Sequence, residues 1–249
     1  MNRFFHLKGK RALMSFLMLG DPDFEQSLAI IESALEAGAD ALELGIPFSD
    51  PLADGPIIQA SAERALAAGM RFERCLELLS IIRSKTNVPI AILTYTNLLF
   101  HRGFDHAFHD LHTAGVDALL LADLSFDESQ KLKPLYEKNQ LGQIFLIAQN
   151  TDLERAHMIH QHSTGFSYLI NSMGTTGMRE GIPPETLARL DTLKAKGEAP
   201  IFVGFGIHTA DQANTLWNNG ADGVIIGSKL IDMVSKHQPI KPYIQELKS

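Results

Sequence analysis

The chain has 249 residues, 45% of them hydrophobic, 20% charged and 8% aromatic, and a formal net charge of −7. That is the composition of a soluble globular protein; no basic stripe supports nucleic-acid binding, and no apolar run reaches the ~20 residues of a membrane span. The lone cysteine, Cys75, cannot form an internal disulfide and falls in a helical pattern, which points to a buried thiol and a cytoplasmic, reducing setting.

Arg3, Lys8, Lys10 and Arg11 precede the apolar run Ala12–Leu19, as in a secretion signal. Gly20-Asp21-Pro22-Asp23 follows instead of a small-residue cleavage site, so the run reads as a first buried strand. Seven further apolar runs continue the pattern: Ala41–Ile46, Ile90–Tyr95, Ala118–Ala122, Gln143–Ala148, Phe166–Ile170, Ile201–Phe205 and Gly223–Ile226. Helical patterns separate them over Glu25–Ala37, Ile58–Lys85, Phe104–Ala114, Asp127–Asn139, Leu153–His162, Pro184–Lys196 and Ala210–Asn219, with a last one ending near Lys248. Continuous apolar strands alternating with helices indicate a parallel sheet covered on both faces. Eight such units in this length predict a closed α/β (β/α)8 barrel, one domain over residues 1–249. An open doubly wound sheet is the alternative, but it normally has fewer strands. Ala37-Gly38-Ala39-Asp40, Ala114-Gly115-Val116-Asp117 and Asn219-Gly220-Ala221-Asp222 recur just before strands, the trace of a repeated unit whose Gly ends a helix.

The second unit carries the most chemistry. Glu43 lies inside a strand, where an unpaired carboxylate is costly. Asp54 lies in the following loop, which Pro47, Pro51, Gly55 and Pro56 restrict. Two carboxylates converging from a strand end and a shaped loop suit acid/base chemistry. In a barrel the loops after the strands build the site. Glycine-bearing loops cluster there late in the chain: Gly174–Gly177, Gly204–Gly206 and Gly227-Ser228. A helix opening at Ser228 would aim its positive end at an anion. A phosphate is therefore expected on the backbone of Gly177, Gly206, Gly227 and Ser228, with the Ser228 hydroxyl assisting; tight turns alone would also explain the glycines.

The stretch from Leu42, LELGIPFSDPLADGPIIQ, resembles the tryptophan synthase alpha chain signature LE-(L/I)-G-(V/I)-P-(F/Y)-SDP-x-ADGP-x-IQ at nearly every fixed position. Phe16–Pro22 and Pro89–Asn97 resemble two further motifs of that family, so the likeness spans the barrel. The resemblance implies cleavage of indole-3-glycerol phosphate to indole and glyceraldehyde 3-phosphate, with Glu43 and Asp54 as the catalytic carboxylates. It implies an indole slot formed by Phe16, Leu93, Tyr95, Tyr168 and Phe205, and a lid threonine at Thr176. It also implies no cofactor on this chain, and a partner beta chain carrying pyridoxal phosphate in an assembly of two alpha and two beta chains. Pro47 and Asp50 would face that partner.

Three departures from the family pattern stand out. Asn171-Ser172-Met173-Gly174-Thr175-Thr176-Gly177 replaces S-R-x-G-V-T-G, Ser125 replaces the Pro of D-(L/V)-P, and Gln149 replaces the Pro of A-P-(T/N). They leave open a stand-alone lyase releasing indole, or a barrel kept mainly to activate a beta chain. A sugar-phosphate epimerase barrel would lack the ADGP loop. His106, His109 and His112 recur every three residues on one expected helix, a spacing that can bind zinc. With no cysteine beside them and an exterior helix beneath them, they read as a solvated face, and no metal is expected.

Overall fold

Ala12–Met18 is a run of seven residues without a charge, every one buried, and it forms the first strand, β1. The computed structural model describes residues 2–171 and 181–249. Over those residues β2 (Ala41–Gly45), β3 (Ile90–Thr94), β4 (Ala118–Leu121), β5 (Gly142–Gln143), β6 (Phe145–Ile147), β7 (Ser167–Ile170), β8 (Ile201–Gly204) and β9 (Gly223–Ile226) follow. They are hydrogen-bonded in the order β5-β4-β3-β2-β1-β9-β8-β7-β6, and every pair is parallel. The two ends of that order are consecutive in the chain, with only Ile144 between them. The sheet therefore closes, and the fold is the expected (β/α)8 barrel.

The fifth strand is where the sequence reading needs correction. Gln143–Ala148 was expected as one strand; the chain instead pairs with β4 up to Gln143 and with β7 from Phe145. Closure brings two backbones together here: a Cβ on Gly142 would lie 2.7 Å from the Cα of Gly165. Only glycine fits such an approach.

Each repeated turn before a strand performs the same task. Gly38, Gly115 and Gly220 have φ of +97°, +90° and +95°, the left-handed conformation that terminates a helix. The aspartate two residues on then accepts a backbone N–H at the start of a neighbouring strand. Leu13 donates to Asp40 (2.8 Å), Ile90 to Asp117 (2.8 Å) and Ile201 to Asp222 (2.7 Å). The recurring sequence is thus a clamp at the N-terminal end of the barrel.

Several helices differ from expectation. The stretch Ile58–Lys85 is two helices, Pro56–Ala67 and Phe72–Lys85, because Gly69 takes φ +86° between them. Asp127–Asn139 is broken into short pieces, with Pro134 at the start of the last. A helix over Thr96–Arg102 and a 3-10 turn over Arg3–Leu7 were not anticipated. That turn drives Phe4 into the lower end of the barrel, fully buried against Phe166 (5.0 Å between centroids) and Phe202 (6.1 Å). Cys75 is buried, as expected. Among the described residues no helix is long and apolar enough to cross a membrane.

Candidate active site

Side chains alternate across a strand. On β2 Glu43 points into the barrel, level with Phe16 of β1 and Ala91 of β3. It is 1% exposed, and neither carboxylate oxygen has a hydrogen-bond partner among the described residues. Burial first, and the charge of Asp54 second, push its carboxyl up to about 8. Asp21, the other buried acid at this end, differs sharply. Arg64 grips it with two bonds of 2.7 Å, which tie the loop after β1 to the helix Pro56–Ala67.

Asp54 stands just before that helix, which Gly55 caps and Pro56 opens. Its N–H donates to the Pro51 carbonyl (3.0 Å), and the Gln59 side chain donates to its carbonyl (2.8 Å), so the loop is a closed turn. Burial raises its carboxyl, and a hydrogen bond from the Tyr95 hydroxyl opposes that rise. Tyr95 also stacks on Phe48 (5.3 Å, 25°) and accepts the Ala53 N–H (3.2 Å). This corrects its expected place in the ring slot. Tyr95 does not line the cavity; it braces the loop that carries Asp54.

Glu43 and Asp54 open into one cavity with Phe16, Leu93, Tyr168 and Phe205, the other four expected slot residues. Gly206, Gly227 and Ser228 line its far side. Gly206 has φ +76°, and Ser228 starts the helix Ser228–Ser235 with no side chain capping its free N–H groups. Gly204 must be glycine, since a Cβ would lie 2.5 Å from the Tyr168 hydroxyl oxygen. The sequence reading missed four lining residues, Gly55, Ile58, Ile207 and Ile225. Ile58 was legible only as the second of two isoleucines after the ADGP turn; the first, Ile57, is exposed. Gly177 and Thr176 lie outside the described residues, as do Ser172, Met173 and Thr175.

Of the two expected partner-facing residues, Pro47 is buried within the chain and Asp50 is exposed. Leu52 of the same loop is 91% exposed, and Phe100 on the helix Thr96–Arg102 is 68% exposed. His106, His109 and His112 are all solvent-facing. A larger groove, about 1070 Å3, opens at the N-terminal end between Arg83, Asp117 and Gln143. Size does not make it the better site: its buried carboxylate is already held by Arg3 (2.6 Å) and Arg83 (2.8 Å). The small cavity instead joins an unpaired buried acid to a glycine rim.

The tryptophan synthase alpha chain family model matches residues 4–248. The chain belongs to that family. Among alpha chains of the family, that of Methanoregula boonei is 39% identical, covering 98% of this chain and 95% of its own. The alpha chain of Methanothermobacter thermautotrophicus is 43% identical over 90% of this chain and 83% of its own. A solved structure of the tryptophan synthase α2β2 complex of Pyrococcus furiosus superposes with a TM-score of 0.90 at 33% identity, covering 96% of this chain and 98% of that one.

Proposed function

We infer that Glu43 and Asp54 carry the alpha-chain reaction, the retro-aldol cleavage of indole-3-glycerol phosphate to indole and glyceraldehyde 3-phosphate, which makes this chain a carbon–carbon lyase of tryptophan biosynthesis. The reaction requires a proton on C3 of the indole before that ring can leave. It also requires removal of a proton from the glycerol hydroxyl next to the ring as the C–C bond breaks. One group that gives a proton and takes one back serves both steps. Glu43, protonated near neutral pH because it is buried with no hydrogen-bond partner among the described residues, is suited to that role. Asp54 faces the ring N–H and stabilises the positive charge that builds there after C3 is protonated. Phe16, Leu93, Tyr168 and Phe205 enclose the ring, and Gly206, Gly227 and Ser228 take the phosphate through backbone N–H groups at the opening of a helix.

No metal or organic cofactor is needed on this chain; pyridoxal phosphate belongs to the beta chain. The exposed edge formed by Asp50, Leu52 and Phe100 is the surface we assign to that partner, in a cytoplasmic complex of two alpha and two beta chains. Residues 1–249 act as one domain. The observation that carries this reading is the meeting of both carboxylates and the glycine rim in one cavity. Release of indole from indole-3-glycerol phosphate, with and without added beta chain, tests it. Turnover is expected in both, and Asp54→Asn is expected to lower it about a hundredfold. No indole under either condition would overturn the assignment.

A further inference from the structure

Phe205 has φ +68° and Gly206 φ +76°, so two successive residues where the ring wall meets the phosphate rim are left-handed. For a side chain as bulky as phenylalanine that conformation is strained. The surrounding structure has to hold it. Asn171, at the end of β7, donates on both sides of the strained Cα: its backbone N–H to the Gly204 carbonyl (2.8 Å), and its side-chain amide to the Phe205 carbonyl (3.2 Å). Asn171 is 3% exposed, and its own carbonyl is gripped in turn. It accepts from the Gln149 side-chain amide and from the Thr186 hydroxyl (3.0 Å). The same Gln149 amide donates to Thr186 (2.9 Å), and Arg189 donates to the Gln149 carbonyl (3.2 Å).

We propose that Asn171 and Gln149 are positioning residues that act as one unit, holding the Phe205–Gly206 turn so that its backbone N–H meets the substrate phosphate. The proposal rests on the reading of the cavity mouth given above. Both residues are among the departures from the family pattern, Asn171 where serine is usual and Gln149 where proline is usual. A serine hydroxyl sits one atom closer to its own backbone than the asparagine amide, and proline has no side-chain donor. The two departures are bonded to each other, so each makes sense in the presence of the other. A turn left loose by a fraction of an ångström would weaken anion binding without touching the acids.

Asn171→Ser and Gln149→Leu test this in the full chain. Each is expected to weaken binding of inorganic phosphate and to raise KM for indole-3-glycerol phosphate about fivefold, the effect of one lost hydrogen bond. kcat is expected to stay within about twofold, and affinity for free indole, which has no phosphate, to stay unchanged. The double variant is expected to lose little more than the worse single one, since both break the same chain of bonds. Unchanged phosphate affinity in both variants, or an equal loss of indole affinity, would overturn the proposal. If Asn171→Ser does not fold, Gln149→Leu decides alone. A wild type that binds no phosphate would remove the mouth reading and this proposal together; a wild type that binds it, with variants that match, would remove only this one.

Discussion

At the N-terminal end of the barrel Asp40, Asp117 and Asp222 each accept a strand N–H. Asp117 has two arginines besides, and Asp222 also accepts the Gly9 N–H (2.6 Å). At the C-terminal mouth Glu43 is more deeply buried than any of the three and has no such partner among the described residues. The contrast is not a property of the two ends as such, because Asp21 at the mouth is fully paired with Arg64. Among the described residues, the buried acids that hold the fold are bonded. Glu43, left unbonded among them, faces the cavity, where its proton can move. A partner for Glu43 would stabilise the carboxylate and remove the proton that the chemistry needs.

Removing each kind of acid should give opposite results. Glu43→Gln keeps the shape and loses the exchangeable proton. Its kcat for indole release is expected to fall at least about a thousandfold, while the variant still binds phosphate. Cleavage at the wild-type rate would end the distinction between the two classes of acid. Asp117→Ala should do the reverse. It takes the carboxylate from the half-buried Arg83, which keeps only carbonyl acceptors, leaves the Ile90 N–H without its acceptor, and is expected to cost about 3 kcal/mol in urea unfolding. Activity per folded molecule should be unaltered.

The pH dependence sharpens the same comparison. Glu43 moves from the ordinary 4.5 to about 8 on folding. Between those values the folded chain keeps a proton that the unfolded chain has released. Stability from this group is therefore complete below about pH 4.5 and declines as pH rises towards 8. Glu43→Gln, always neutral, is expected to gain on the wild type across that window, by up to about 3 kcal/mol near pH 7, read as a widening gap in Tm. Over the same window kcat/KM should hold, then fall above about pH 8 as the acid form disappears. The smallest effect is expected from Tyr95→Phe, which loses the hydroxyl bracing Asp54 but leaves the cavity wall. kcat should drop about fivefold, and the acidic limb of the pH profile should move upward, because the bond that lowered the Asp54 carboxyl is gone.

Much of this arrangement was legible in the sequence because it depends on local pattern. Uncharged runs marked the strands, and the Gly-x-Asp turns marked the repeat. The ADGP loop placed Asp54, and a carboxylate in an apolar run singled out Glu43. What was not legible depends on contacts between distant segments. Nothing near Ile144 shows that the chain changes partners there; the reason is a close approach of Gly142 to Gly165. Tyr95 ends an apolar run and reads as a cavity residue, yet its ring turns to Phe48 and its hydroxyl to the next loop. A phenylalanine at φ +68° violates local preference and is explained only by a donor 34 residues away.

Phe4, carried on the short turn that closes the lower end, also bears on traffic through the molecule. With Phe166 and Phe202 it packs a floor of three aromatic rings beneath the chamber, their centroids 4.9 to 6.1 Å apart. A floor so filled favours departure of the bicyclic product by the opening through which its parent came, on the side of the loop that displays Leu52 to the outside. A neighbour seated on that loop would stand at the exit.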